Sequence, residues 1–144
     1  MKMRHAALAT LLVLTLALTG CAGADKTVTE SATAQVEKGT VTKIDAATAH
    51  ERMSASDDYI LLDVRTPEEY AEAHIAGAVL LTDSNIEAQA AEVLPDKDKV
   101  IYVYCRSGRR SAASSALLAE MGYTNVYDMG GIIDWTYGTV SGSD

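Results

Sequence analysis

The stretch VIYVYCRSGRRSAASSALLAEMG, residues 100–122, determines the fold class that the sequence predicts. Its first five residues form an apolar run typical of a strand buried on both faces. The run leads directly into the polar loop CRSGRR and then into a helical pattern that Gly122 can end. We expect the buried side of that helix to hold Ala113, Ala116, Leu117 and Met121. A strand that turns into a helix in this way is typical of a parallel α/β unit.

Further strand and helix signals surround this stretch. Strands are predicted at VTKI (41–44), YILLDV (59–64) and NVYDM (125–129). One helix is predicted from Ala46 to about Met53 after Asp45, and a second starts at a capping box formed by Thr66, Pro67 and Glu69. A third follows the S-x-x-E pattern at 84–87, buries Ile86, Ala90, Val93 and Leu94, and stops at Pro95. The alternation predicts one α/β domain with a largely parallel sheet.

The N-terminal residues have a different character. Lys2, Arg4 and His5 precede the apolar run Ala6 to Leu18, which is shorter than the roughly 20 residues of a spanning helix. We interpret residues 1–20 as a secretory signal, with an ordinary secreted protein as one possibility. The sequence LTGC that ends at Cys21 resembles the lipobox of bacterial lipoproteins, which implies cleavage before Cys21 and lipids on that cysteine. Residues 21–39 would then be a tether of about 25 Å, anchored by acyl chains to the non-cytoplasmic side of a membrane, in the periplasm or at the cell surface.

The charge of the chain argues against one class of function. The chain has 20 acidic and 12 basic residues. Loss of Lys2 and Arg4 with the signal would leave 10 basic residues against 20 acidic ones, a net charge of −10. This charge excludes nucleic-acid binding by bulk electrostatics.

The loop after the central strand has the composition of an anion site with a reactive thiol. Cys105 ends the apolar strand, and the backbone amides of residues 106–110 together with the following helix N-terminus predict a nest for an anion. Such surroundings lower a thiol pKa from about 8.5 into the range of about 3.5 to 7.5. Gly108 allows a tight turn. The alternative is a buried structural cysteine beside three arginines that only face water.

The length of the loop indicates the size of the anion. Cysteine-dependent phosphatases use C-x5-R, but position 111 is serine and the arginine comes one residue earlier, at Arg110. A tighter loop favours something smaller than a phosphoryl group, such as a single sulfur atom. Phosphatase or arsenate-reductase chemistry is therefore a weaker alternative.

Three ordered blocks resemble single-domain rhodaneses, which carry sulfur as a cysteine persulfide. They are DVRTPEEYAEAHIAGA (63–78), CRSGRR (105–110) and GYTNVYDMGGIIDW (122–135). The resemblance implies a three-layer domain over residues 40–144, with a central, largely parallel five-stranded sheet and helices on both faces. This sequence departs from the family pattern at Ala73 and Ala76, where glycine and proline are more common. It also departs at Arg109, which makes the loop more cationic than is usual in the family.

The resemblance also implies roles for the loop. Cys105 would take sulfur from thiosulfate or a related anionic donor and pass it to cyanide or an external thiol. The substrate-binding loop would comprise Arg106, Ser107, Gly108, Arg109 and Arg110. A carrier that delivers the persulfide to one partner protein, with little turnover, is the alternative. We expect a monomer.

Other polar residues have simpler interpretations. We expect Asp63 and Arg65 to form a salt bridge at the sheet edge, and His50 and His74 to be structural. No metal or cofactor is predicted. Trp135, with Ile132 and Ile133, is expected to pack a terminal helix onto the core. Tyr102 and Tyr104 belong to the central strand, and the sequence leaves open which of them borders the pocket.

Overall fold

A computed structural model describes residues 38–142, which form a five-stranded sheet flanked by helices. The strands are β1 Thr40–Lys43, β2 Tyr59–Asp63, β3 Val79–Leu80, β4 Val100–Cys105 and β5 Asn125–Gly131. The helices are α1 Ala46–Ala55, α2 Pro67–Glu72, α3 Ile86–Val93 and α4 Arg109–Glu120, with 3-10 turns at Asp83–Asn85 and Ile132–Asp134. The strand order is β1-β5-β4-β2-β3, and every pair is parallel. The predicted α/β class and five-stranded sheet are confirmed.

The central strand β4 shows why helices cover both faces of the sheet. Ile101, Val103 and Cys105 point into one apolar cluster, which also holds side chains of α3 and α4. Tyr102 and Tyr104 point into the other, with side chains of α1 and α2. A strand whose two faces are both buried carries apolar residues at every position, which explains the VIYVY run. The three-layer prediction is therefore confirmed.

Local signals at two helix starts behave as expected, and a third does not. Asp45 caps α1 by accepting a hydrogen bond from the amide of Thr48 at 2.7 Å. Thr66 and Glu69 form the predicted capping box at the start of α2. The S-x-x-E pattern at 84–87 forms no such box, because Asp83–Asn85 is a 3-10 turn and Asn85 caps α3 without a side-chain hydrogen bond.

The predicted buried face of α4 is wrong. Ala113 and Ala116 are exposed, and Leu117 and Met121 are only partly buried. The helix instead buries Ser111, Ser114, Ser115, Leu118 and Ala119. The short serine side chains allow the helix to lie close to β5, where Ser111 Oγ lies 3.2 Å from the carbonyl oxygen of Gly130. A hydrogen-bonded serine can be buried without the cost that an unpaired polar group would carry.

The chain after β5 folds back over α2. Trp135 follows a single 3-10 turn and not the expected terminal helix, although it packs against the apolar cluster on the α1 side. Ile133 is 65% exposed. His74 and Val140 exchange two backbone hydrogen bonds of 2.8 Å, which hold the C-terminal segment against α2. Between residues 38 and 142, no helix combines the length and the apolar character that a membrane crossing requires.

Candidate active site

The loop that begins at Cys105 lies at the carboxyl edge of the sheet, where ligands of open α/β folds bind. Cys105 is the last residue of β4, and α4 begins at Arg109. Gly108 caps α4 with φ of +93°, a left-handed conformation that residues with a Cβ rarely adopt. The amide of Gly108 thereby turns inward and donates a hydrogen bond to Cys105 Sγ at 3.1 Å.

The surroundings of Cys105 favour its thiolate form. The residue is only 1% exposed, and burial by itself raises a thiol pKa. The backbone amides of Ser111, Ser107 and Gly108 outweigh this burial, so the pKa of Cys105 lies below its ordinary value. Amides that converge on one sulfur atom can stabilise a negative charge there without any cation. Ser107 and Gly108 lie within the range 106–110 in which the sequence predicts the nest, whereas Ser111 lies one residue beyond it.

Two glycines of β5 form the surface on which the loop rests. A Cβ at Gly131 would lie 2.5 Å from the carbonyl oxygen of Arg106 and 2.7 Å from Cα of Ser107, distances that side chains do not tolerate. A Cβ at Gly108 would lie 3.4 Å from Cα of Gly130. The amide of Ile133 donates to the carbonyl oxygen of Arg106 at 3.3 Å. The GG pair therefore determines how closely the loop approaches the sheet.

The three loop arginines occupy different environments. Arg106 and Arg109 are exposed, and no carboxylate between residues 38 and 142 pairs with either of them. Arg110 makes two hydrogen bonds of 2.7 Å to the carboxylate of Glu69. The hydrogen bonds from Arg110 lower the pKa of Glu69 to about 2. Arg110 thus connects the start of α4 to α2, while Arg106 and Arg109 present their charges to solvent.

Ser111 and Asp128 form a second connection beneath the loop. Ser111 is fully buried, and its Oγ donates to Asp128 Oδ1 at 2.7 Å. The same carboxylate oxygen accepts the amide of Gly130 at 3.1 Å. Ser111 follows the loop directly, and its position is therefore held by β5. Sequence reasoning noted Ser111 only because it replaces a phosphatase arginine, and it missed Asp128 and the Glu69 pairing.

Asp63 and Arg65 form the salt bridge that the sequence predicts. Arg65 Nη2 donates to Asp63 Oδ2 at 2.6 Å, and both side chains are almost wholly buried. The same nitrogen donates to the carbonyl oxygen of Ala73 at 2.7 Å, which fixes the chain after α2. Tyr104, which packs on this side of the sheet, accepts the amide of Ile75 at its hydroxyl group. Asp63 and Arg65 therefore support the sheet edge beneath the site.

The two histidines of the described chain contact aromatic rings. His74 is buried, stacks on Tyr70 at 3.7 Å and contacts the carbonyl oxygen of Tyr70 through Nδ1 at 2.9 Å. His50 stacks on Tyr137 at 3.7 Å. Among residues 38–142, no three His, Cys, Asp or Glu side chains are grouped as a metal site would require. Cys21 lies outside the described residues.

A cleft of about 530 Å³ opens beside the loop. Its walls come from α2, the loop and the segment after β5, and they include Glu72, Arg106, Ile132, Ile133 and Thr139. A smaller cavity of about 310 Å³ on the other side of the loop is lined in part by Ser107, Gly108 and Asp128. The loop therefore has open space on both sides. The larger cleft is lined by Glu72 and Arg106, two charged residues without an ion-pair partner among residues 38–142.

The fold and the site together define a class: α/β domains with a cysteine held among backbone amides at the carboxyl edge of a parallel sheet. Comparison with known proteins identifies the family within this class. A family model described as a rhodanese-like domain matches residues 45–137. The chain therefore belongs to the rhodanese family.

Individual relatives agree with this assignment. A thiosulfate sulfurtransferase of Escherichia coli, PspE, is 38% identical over 81 residues, which cover 56% of this chain and 78% of that protein. A sulfurtransferase of Allochromatium vinosum is 40% identical over 96 residues, which cover 66% of this chain and 88% of that protein. A solved structure of an E. coli rhodanese with anions superposes with a TM-score of 0.55 at 37% identity, covering 58% of this chain and 99% of that one. These similarities support rhodanese-type sulfurtransferase activity in general.

Proposed function

We propose that this protein moves a sulfane sulfur from thiosulfate, or a related anionic donor, to cyanide or a thiol through a persulfide on Cys105. The observation that carries the proposal is the position of Cys105 Sγ at the start of α4, where the Gly108 amide donates to it at 3.1 Å. The amides of Ser111 and Ser107 act with that of Gly108 to lower the pKa of Cys105. The names of the relatives support thiosulfate as the donor. Covalent catalysis of this kind divides one difficult transfer into two easier ones.

In the first step the Cys105 thiolate attacks the outer sulfur of thiosulfate. A new S–S bond forms, the S–S bond of thiosulfate breaks, and sulfite leaves with that electron pair. The exposed charges of Arg106 and Arg109 attract the dianionic donor, and the loop amides stabilise the anionic persulfide. In the second step a thiolate or cyanide attacks the outer sulfur of the persulfide, and Cys105 leaves as a thiolate.

Steady-state turnover tests this proposal. The purified protein with thiosulfate and cyanide should release thiocyanate and sulfite in equal amounts, and Cys105→Ser should release none. Ser54→Ala, on the exposed surface of α1, serves as a control for the effect of handling a variant. Equal thiocyanate release from Cys105→Ser and the parent would refute the proposal.

The burial of Cys105 favours a second candidate, a persulfide carrier. A residue that is 1% exposed is poorly accessible, and a partner protein that displaces the loop would give it selective access. Multiple turnover with small donors and acceptors supports the enzyme. A stoichiometric persulfide that small nucleophiles do not discharge, but a partner protein does, supports the carrier.

We also propose that Cys21 carries lipids and holds the protein on the non-cytoplasmic side of a bacterial membrane. The proposal rests on the basic start, the apolar run and the LTGC sequence. Cells grown with labelled palmitate should yield a labelled protein, and Cys21→Ala should remove the label and release the protein from the membrane fraction. Membrane retention of an unlabelled Cys21→Ala protein would contradict the proposal.

A further inference from the structure

A buried carboxylate, that of Asp128, lies beneath the reactive loop and has no part in the two transfer steps. The residue is only 4% exposed and lies on β5 opposite Val103 of β4. After this pair the register of the two strands shifts, so that Tyr104 lies opposite Gly130 and Met129 is the extra residue of a bulge. Bulges are frequent next to active sites, where they redirect side chains. Asp128 is therefore the last regular residue of β5 before the strand becomes the support of the loop.

One oxygen atom of Asp128 connects two segments that contact the loop. Asp128 Oδ1 accepts the hydroxyl group of Ser111 at 2.7 Å and the amide of Gly130 at 3.1 Å. Between residues 38 and 142, no lysine, arginine or histidine forms an ion pair with Asp128. These two hydrogen bonds therefore offset the cost of burying the carboxylate. One donor begins the helix after the loop, and the other lies in the glycine pair on which the loop rests.

The Ser111 hydroxyl group has one proton and three oxygen acceptors within reach. Besides the carboxylate, the carbonyl oxygens of Gly108 and Gly130 lie 3.0 Å and 3.2 Å from Ser111 Oγ. The Gly108 carbonyl group already accepts the amide of Ala112 at 3.1 Å, at the start of α4. The carboxylate is the nearest acceptor and the only charged one, so it determines the direction of the O–H bond. Without Asp128, the hydroxyl group would turn toward Gly108 and compete with the first hydrogen bond of the helix.

The orientation of Ser111 affects the reactive sulfur atom because the amide of Ser111 faces that atom. Burial raises the pKa of Cys105, and the Ser111 amide is foremost among the groups that lower it. Ser111 is fully buried, and a close-packed interior transmits the displacement of one group to its neighbours. A hydroxyl group that loses its acceptor would therefore displace the amide of the same residue.

From these contacts we propose that Asp128 is a positioning residue for the reaction at Cys105, and that it acts through the hydroxyl group of Ser111. The inference rests on the proposed function, in which Cys105 is the nucleophile. Asp128 does not itself react. Its carboxylate keeps the Ser111 amide directed at the sulfur atom, first in the thiolate and then in the persulfide.

Two neutral substitutions separate the hydrogen bond of Asp128 from its charge. Asp128→Asn keeps an acceptor oxygen and Asp128→Ala keeps none, but both remove the same charge. The difference between them in the pH midpoint of Cys105 alkylation by iodoacetamide therefore reports the acceptor alone. The charged groups around the loop are the same in both variants; they are Lys43, Asp45 and Asp134 at the smaller cavity and Glu69, Asp83 and Arg110 on the other side.

The midpoint should be higher for Asp128→Ala than for Asp128→Asn. At saturating thiosulfate and fixed pH, Asp128→Ala should also form the persulfide more slowly than Asp128→Asn by roughly two- to tenfold, the effect of one hydrogen bond. When each substitution is combined with Ser111→Ala, the two midpoints should be equal, because the hydroxyl group through which Asp128 acts is then absent. Asp134→Asn, which removes an exposed carboxylate at the same cavity, is the control, and its effect should be the same with and without the Ser111 hydroxyl group.

Equal midpoints for Asp128→Asn and Asp128→Ala would overturn the proposal. A difference of the same size in the Ser111→Ala background would also overturn it, because Asp128 would then act through β5 and not through the hydroxyl group. If urea denaturation shows that Asp128→Ala is unfolded, Asp128→Leu, which fills the space of asparagine without an acceptor, replaces it in the same comparison. If thiosulfate places no sulfur on Cys105, the proposed function is wrong, whereas the alkylation midpoints still decide the role of Asp128.

Discussion

The ion pair between Glu69 and Arg110 is expected to stabilise the folded protein, and Glu69→Gln isolates its charge. Glutamine keeps the shape of the side chain and is accepted at this position of a capping box, so the contact to the amide of Thr66 can persist. The substitution removes the carboxylate charge. It also places an N–H group, which cannot accept a hydrogen bond, opposite the N–H groups of Arg110.

The magnitude follows from the pKa of Glu69. Its fall from 4.5 to about 2 would correspond to roughly 3 kcal/mol if water were excluded. The two side chains are 22% and 27% exposed, and exposed ion pairs contribute only about 0–1 kcal/mol. We therefore expect Glu69→Gln to reduce the free energy of unfolding by about 1–2 kcal/mol at pH 7.

The pH dependence provides a second test of the same pair. Because the folded state lowers the pKa of Glu69, its contribution is complete above about pH 4.5 and is lost as the pH falls toward about 2. Urea denaturation of parent and variant should show a difference at pH 7 that shrinks by more than half at pH 3. Glu72→Gln, one turn later on α2 and without an ion pair in residues 38–142, should show little difference. Equal losses for both variants, or a Glu69 difference that does not change with pH, would refute this account.

Three further predictions concern the loop and α4. Gly131→Ala should displace the loop, lower turnover at least tenfold and destabilise the fold. Gly77→Ala, whose Cβ meets nothing within 4 Å, should lower stability by about 1 kcal/mol without loss of turnover. A larger loss of turnover for Gly77→Ala than for Gly131→Ala would contradict the close contact of loop and sheet. Ser111→Ala should raise the pH midpoint of Cys105 alkylation by iodoacetamide, because the Ser111 side chain is one of the groups that lower the pKa of Cys105. Ser115→Ala, whose buried hydroxyl has no hydrogen-bond partner in residues 38–142, should leave the midpoint unchanged, and equal midpoints for both variants would remove the Ser111 side chain from the site. Leu118→Ala should lower stability by about 2–5 kcal/mol in urea denaturation and Leu117→Ala by clearly less, and the opposite result would restore the helix face that the sequence predicts.

The parts of the fold that sequence reasoning predicted depend on local patterns. The run from Val100 to Tyr104 is apolar at every position because both of its faces are buried, so its burial is visible without knowledge of its neighbours. The capping box at Thr66 involves residues three positions apart. The composition of the Cys105 loop likewise indicated an amide nest, since amides follow from the backbone turn and not from distant side chains.

The parts that sequence reasoning missed depend on contacts between distant segments. Strand β3 has only two residues, which is too short for an alternating pattern, and its place is set by pairing with Leu62 and Asp63. Ser111 is buried because Asp128, 17 positions away, accepts its hydrogen bond. Glu69 and Arg110 are 41 positions apart. The two partners of each pair lie too far apart in the sequence for a local pattern of residues to reveal their contact. The buried face of α4 and the role of Arg110 as a connection to α2 could therefore not be predicted.

The proposed function depends on a persulfide at Cys105, and intact mass spectrometry detects that persulfide. The purified protein is incubated with thiosulfate beside Cys105→Ser. We predict a mass gain of one sulfur atom on the parent, no gain on the variant, and loss of that sulfur as thiocyanate when cyanide is added. An unchanged mass for a parent protein whose Cys105 is otherwise alkylated at neutral pH would contradict thiosulfate as the donor, and a gain that persists in Cys105→Ser would contradict the site itself.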